Sequence, residues 1–251
     1  MPQHNDTETD VQKRLQEYKE KQHTEAEQVV KTVFPRRVLE LNELLQSEKF
    51  DCGRIKDITS VDVNIPQPDA LTSESPSAKR RKLDSSLNGV VCVEGTKVMG
   101  FVAGPVPCNA ALDELVNIVK PVLRDAVESV NKVKLWIVLL IPRMEDGNNF
   151  GVSIQEEVLS EVRTVEAEAA SFLDQISRYF LSRGKLVEKL AKFPHVDDYR
   201  HGIQDLDEKQ FINLRLVLLE MKNHYATLHD LIMKNIEKIK KPRTSNMEHL
   251  Y

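Results

Sequence analysis

In two stretches of this chain, apolar residues recur at steps of three and four without a break for roughly seven to eight helical turns. The first runs through Ile154, Val158, Val162, Val165, Ala169, Phe172, Ile176 and Tyr179. The second runs through Phe211, Leu214, Leu218, Met221, Tyr225, Leu228, Ile232, Ile236 and Ile239. That spacing is one face of an α-helix. Pro194 stops the first helix after Phe193, and the second begins after Asp205 or Asp207. Lys238, Lys240 and Lys241 crowd its end, favourable for the helix dipole, and Pro242 closes it. At 1.5 Å rise per residue each helix is roughly 50–60 Å long. Apolar stripes of that length need other long helices to cover them.

Two more are present upstream. Val11, Leu15, Tyr18, Ala26, Val29, Val33, Val38, Leu41 and Leu45 mark one face of a first helix, in which Pro35 predicts a kink. Leu112, Leu115, Val119, Val122, Ala126, Val130, Val133 and Ile137 mark another from Asn109 to Ile141, with a bend expected at Pro121. That helix ends in LWIVLLI, which is apolar all round and predicts burial on several sides. A buried strand is the competing reading for those seven residues. Ser153 to Glu156 has the form of a capping box for the third helix. The expected class is all-α: an antiparallel four-helix bundle of long helices. Residues 1–46 would be its first helix, 47–108 a flexible connector, 109–242 the remaining three helices, and 243–251 a tail.

The connector carries five prolines (Pro66, Pro68, Pro76, Pro105, Pro107), with TKVMGFVAG extended near its end. Within it Lys79, Arg80, Arg81 and Lys82 form a basic cluster that suits the acidic groove of a nuclear import carrier, so the expected location is the nucleus, with the cytoplasm as a second compartment; a solvated charge run is the alternative reading. Ser75, before Pro76, is a candidate phosphorylation site whose added charge would weaken carrier binding. No aromatic residues are interleaved with the basic ones, and the net charge of the chain is -4, so nucleic acid is not an expected partner.

Most chemistry is excluded by what the residues lack. GxxxxGK[ST], GxGxxG and HExxH do not occur, and the three cysteines Cys52, Cys92 and Cys108 have no metal or disulfide spacing. His195 and His201 flank Asp197 and Asp198 in HVDDYRH, but the spacing fits no metal template and reads as an interhelical loop. His224 and His229 are five apart and do not share a helix face well. Glu156–Glu157 and Asp197–Asp198 read as solvated pairs. The polar, acidic N-terminus is unlike a signal peptide, and the longest apolar run, Leu135 to Ile141, is far short of the ~20 residues of a membrane span. The expectation is a regulator or interaction protein with no cofactor, metal or membrane partner, and not an enzyme. A nuclear helical scaffold is the alternative.

Two segments remain. The loop EDGNNFG, Glu145 to Gly151, joins the second and third helices, and the tail TSNMEHLY ends in Leu250 and Tyr251 with a free carboxylate of the kind a pocket can capture, although the residues by themselves favour a frayed end. In an up-and-down bundle both lie at the same end. Together with LWIVLLIPRMEDGNNFGVSIQEE, PHVDDYR and KNIEKIKKPR, these residues resemble the REG (11S) family of proteasome activators, and the basic connector resembles its gamma branch. The resemblance implies a homo-heptameric ring that caps the 20S proteasome without ATP. It implies that Arg143, Met144, Glu145, Asp146, Gly147, Asn148, Asn149, Phe150 and Gly151 form an activation loop acting on the proteasome α subunits, with Asn148 the most sensitive position. Met247, Glu248, His249, Leu250 and Tyr251 would be the docking tail.

Overall fold

The computed structural model describes residues 8–60, 69–70, 99–100 and 106–243. Its first long helix comes in three pieces: α1 (Glu8–Gln28), a π-helical turn (Val29–Val33) and α2 (Phe34–Gln46). The π-turn follows from Pro35. Proline has no N–H and its ring crowds the carbonyl four residues back. Here the Phe34 N–H reaches five residues back to the Val29 carbonyl. The Val30 carbonyl would next pair with the nitrogen of residue 35, which carries no hydrogen. His229 replaces that donor, its Nδ1 lying 2.8 Å from the Val30 oxygen. Because a carbonyl only accepts, this contact fixes the tautomer with hydrogen on Nδ1.

The connector begins later than its composition suggests. Residues 48–50 and 52–54 form 3-10 turns, and α3 (Ile55–Thr59) follows. Phe50 and Ile58 are buried in the main core, and Arg215 donates to the carbonyls of Leu45 and Phe50 at 3.0 and 2.6 Å. Two anchors at irregular spacing leave no periodic signal, so the sequence pattern stops at Ser47 although the packing continues. Beyond them, β1 (Asp69–Ala70) pairs antiparallel with β2 (Met99–Gly100), in keeping with the extended reading of TKVMGFVAG.

The remaining helices are α4 (Ala110–Leu140), α5 (Phe150–Lys192) and α6 (Asp198–Lys240). Asn109 caps α4 by accepting from the Leu112 N–H at 3.2 Å, and Pro121 lies within that helix. α5 packs along α4 and α6, α2 along α6, and α1 along α4, forming an antiparallel four-helix bundle. Among the described residues, Trp136, Tyr225, Phe34, Phe50 and Phe211 are the largest fully buried side chains, with the Phe34 and Tyr225 rings 5.3 Å apart. Burying each such side chain stabilises the fold by about 1.5–3 kcal/mol.

Four expectations change. LWIVLLI is helical through Leu140 and not a strand, yet only Trp136 and Ile137 are buried, and Val138 is 42% exposed. In α1, Val11, Leu15 and Tyr18 are exposed instead of joining the core. α6 starts at Asp198, about two turns before the expected place, and its opening turns carry Tyr199, Ile203 and Leu206 as their apolar residues. α5 starts at Phe150, so Ser153 lies inside the first turn and its hydroxyl donates back to the Asn149 carbonyl at 3.2 Å. The capping box therefore does not form.

At the end of the bundle where α5 gives way to α6, a buried charge is held. Asp207, 1% exposed, accepts from the Tyr179 hydroxyl at 2.9 Å, Arg183 Nε at 3.0 Å and Asn109 Nδ2 at 2.9 Å. The same Asn109 amide donates to the Ile58 carbonyl at 2.9 Å, fastening the end of α3 to the network. Burial and the adjacent Asp207 carboxylate hold the Tyr179 hydroxyl protonated, far above the usual phenol range.

Candidate functional site

α4 and α6 both terminate at the opposite end of the bundle, leaving carbonyls without intrahelical partners. One side chain serves both. Gln155, fully buried in α5, donates from Nε2 to the Leu140 carbonyl at 3.1 Å and to the Ile239 carbonyl at 2.8 Å. It ties three helix ends into one platform. No sequence signal marks it, because an isolated glutamine in a helix ordinarily reads as a solvated position.

The 142–149 segment rises from this platform. Gly147 and Asn148 have φ of 82° and 49°, consecutive residues in the left-handed region. Glycine enters that region freely, and asparagine tolerates it better than other side chains. The chain thereby reverses within a few residues and enters α5 directly. Met144 is fully exposed and Phe150 is 74% exposed, so the loop presents apolar side chains outward. Phe150 and Gly151, expected in the loop, form the first turn of α5.

Gly151 has a different task from Gly147. A Cβ there would come within 2.0 Å of the Pro242 carbonyl oxygen, so the start of α5 and the end of α6 meet backbone to backbone. Arg243 continues the contact. Its guanidinium lies 3.0 Å from the Glu145 carboxylate and donates to Asn149 Oδ1 at 3.1 Å. Asn149 Nδ2 in turn donates to the Glu145 carbonyl at 3.2 Å, and Arg143 approaches Glu145 at 3.6 Å from the other side. Lys240 adds a tie to the first helix, 2.7 Å from Glu27. The Lys240 hydrogen bond holds the Glu27 carboxyl below its usual range.

The expected adjacency of loop and tail is therefore realised at the tail's root: Pro242 and Arg243 contact Gly151, Asn149 and Glu145 directly. Arg243 and Gln155 are the residues that sequence reasoning missed. Met247, Glu248, His249, Leu250 and Tyr251 lie outside the described residues, as do Ser75 and the cluster Lys79, Arg80, Arg81 and Lys82. In HVDDYRH, His201 approaches Asp197 at 3.6 Å within the first turn of α6. Cys52 and Cys108 are exposed free thiols. Among the described residues, no helix is long and apolar enough to cross a membrane.

The chain is similar over nearly its whole length to known proteins. Residues 9–70 match the family described as "Proteasome activator PA28, N-terminal", and residues 105–249 match "Proteasome activator PA28, C-terminal". Human and chicken proteins named "Proteasome activator complex subunit 3" are each 47% identical over 251 residues, covering 96% of both chains. Among solved structures, the 11S subunit of the Plasmodium falciparum proteasome, PA28, superposes with a TM-score of 0.72 at 26% identity, covering 97% of this chain and 96% of that one. The structure of an archaeal 20S proteasome with a mutated P26 activator has a chain matching with a TM-score of 0.62 at 12% identity, covering 91% of this chain and 93% of that chain, a likeness of fold. The relatives are named as activator subunits, so they are regulators and not enzymes. With both family segments matched and 47% identity along nearly its whole length, this chain belongs to the PA28 family of proteasome activators.

Proposed function

We propose that seven copies of this chain close into a ring that caps the 20S proteasome and opens its gate without ATP. The tails Met247–Tyr251 dock in pockets between α subunits, and the loops Arg143–Gly151 act on the gate. The observation that carries this reading is the joint between them: Arg243 holds Glu145 and Asn149 while Pro242 abuts Gly151. A tail anchored in a pocket thereby sets the position of the loop within a few ångströms. One short tail binds weakly, but seven on one ring act together through effective concentration. The exposed Val11, Leu15 and Tyr18, spaced as one helix face, and the half-exposed end of α4 support contact with neighbouring copies.

The nuclear address is part of the same proposal. Lys79, Arg80, Arg81 and Lys82 engage an import carrier, and phosphorylation at Ser75 weakens that engagement. Alanine at Ser75 that leaves localisation unchanged in every condition removes the phosphorylation step.

The test is stimulation of fluorogenic peptide cleavage by purified 20S proteasome. Asn148→Ala is expected to leave binding intact and abolish stimulation, whereas removing Leu250 and Tyr251 is expected to abolish both. Stimulation that survives loss of the two terminal residues would contradict the anchoring role. A monomer in native mass measurements at working concentration overturns the ring.

A further inference from the structure

Halfway along the bundle, three donor side chains converge across the contact of α5 and α6. Glu220 and His224 stand four residues apart on one face of α6, and Glu168 faces them from α5. His224 Nε2 lies 2.6 Å from Glu168 Oε2 and 3.5 Å from Glu220 Oε1, and the three donor atoms all fall within 4.8 Å of one another. Among the described residues, His224 is the only basic side chain within ion-pairing distance of either carboxylate. With a neutral imidazole the cluster carries two uncompensated negative charges.

The geometry points to a divalent transition-metal site, with Zn2+ as its natural ion, held by Glu168, Glu220 and His224. A tetrahedral zinc with bonds of 2.0–2.2 Å to nitrogen and oxygen places its ligand atoms about 3.3 Å apart. The Glu220 distance already matches. The Glu168 contact needs to open by about 0.7 Å, within reach of a side-chain rotation. The ion binds the Nε2 lone pair of the neutral tautomer that carries its hydrogen on Nδ1, and its two charges balance the two carboxylates. One imidazole and two carboxylates favour the zinc class over Mg2+ or Ca2+, which take all-oxygen shells. Three protein ligands leave the fourth position to water. His224 is largely buried, with its side chain 17% exposed, while Glu168 and Glu220 are 44% and 49% exposed. The two carboxylates thus line a groove together with Ser171, Phe172, Gln175 and Asn213, which gives the ion an entry path.

The site bridges two helices roughly 27 Å from the start of α5 and uses none of the residues of the loop or tail. Its function is to stiffen the α5–α6 contact, and it stands whether or not the ring activates a proteasome. Sequence reading passes over it because Glu168 lies 56 residues from His224.

The experiment uses the full-length, chelator-treated protein, titrated with Zn2+ by calorimetry and with Co2+ by visible absorption. One equivalent per chain, tetrahedral cobalt bands and a metal-dependent rise in Tm are expected. His224→Ala and Glu168→Gln should each weaken binding by more than about tenfold and remove the Tm rise, whereas His201→Ala, at an exposed site, should change neither. If His224→Ala loses helical circular dichroism, Glu220→Gln supplies the same comparison from an exposed side chain. No binding by the parent protein, or binding that persists in both Glu168→Gln and Glu220→Gln, overturns the site.

Discussion

The two ends of the bundle are held by opposite means. Where α5 gives way to α6, the contacts are buried and ionic: Asp207, Arg183, Tyr179 and Asn109 form a network with little access to water. Where α4 and α6 stop, the contacts are a buried amide, a backbone-to-backbone approach and ion pairs at the surface: Gln155, Gly151 against Pro242, and Arg243 with Glu145. A buried charge is costly unless every partner is in place, so the first kind of end resists change. Surface ion pairs contribute little energy, so the second fixes shape chiefly through sterics and hydrogen bonds. One end secures the fold and the other sets the position of a loop.

That contrast breaks if Asp207→Ala is tolerated. Removing the carboxylate leaves Arg183 buried without a partner and should cost about 3–5 kcal/mol in urea unfolding. Replacing Asp207 and Arg183 together with apolar residues of matching volume should recover much of the loss, since the penalty is the orphaned charge.

Gly151→Ala is next, at about 1–3 kcal/mol, because the added methyl overlaps the Pro242 carbonyl and must separate the ends of α5 and α6. Its effect on proteasome stimulation should exceed its effect on Tm, since the displaced element is the loop. Equal loss of both would make Gly151 a packing position only.

Arg243→Ala should change stability by less than about 1 kcal/mol, because Glu145 is half exposed, yet lower peptidase stimulation at unchanged tail affinity. Stimulation at the parent level would show that the loop keeps its place without the clamp.

The smallest effect concerns pH. The Lys240 contact holds the Glu27 carboxyl below its ordinary value of 4.5. The stability it contributes is therefore present above about pH 4.5 and is lost as pH falls through the lower folded value. Lys240→Ala should lower Tm slightly across the neutral range and flatten that part of the acid limb in a Tm-against-pH series, while leaving Tm at the acid extreme unchanged.

The sequence made the scaffold plain and the joints obscure, for a physical reason. Helix faces repeat, so Val158, Val162 and Val165, or Leu214, Leu218 and Met221, announce themselves by spacing alone. A joint is made once, from residues whose meaning depends on what lies opposite. Gln155 resembles any solvated glutamine until two carbonyls are placed against its amide. Asp207 resembles a solvated acid near a helix start, and its burial went unforeseen because Arg183 lies 24 residues away. Ser153 and Glu156 have the letters of a capping box, but the turn at Gly147 and Asn148 delivers the chain to α5 one turn early. The loop and tail stood out by resemblance, and topology placed them at one end; Arg243, which connects them, did not stand out.

The substitute donor at the π-turn has a genetic consequence. Pro35 and His229 are 194 positions apart, yet they act as a lesion and its suppressor: one deletes a backbone hydrogen, and the other restores it from the facing helix. A change at His229 should be harmful only while Pro35 is present, and Pro35→Ala should render the histidine dispensable. The two positions should therefore couple in a double-mutant cycle, and neither can be judged permissive from substitutions made one at a time.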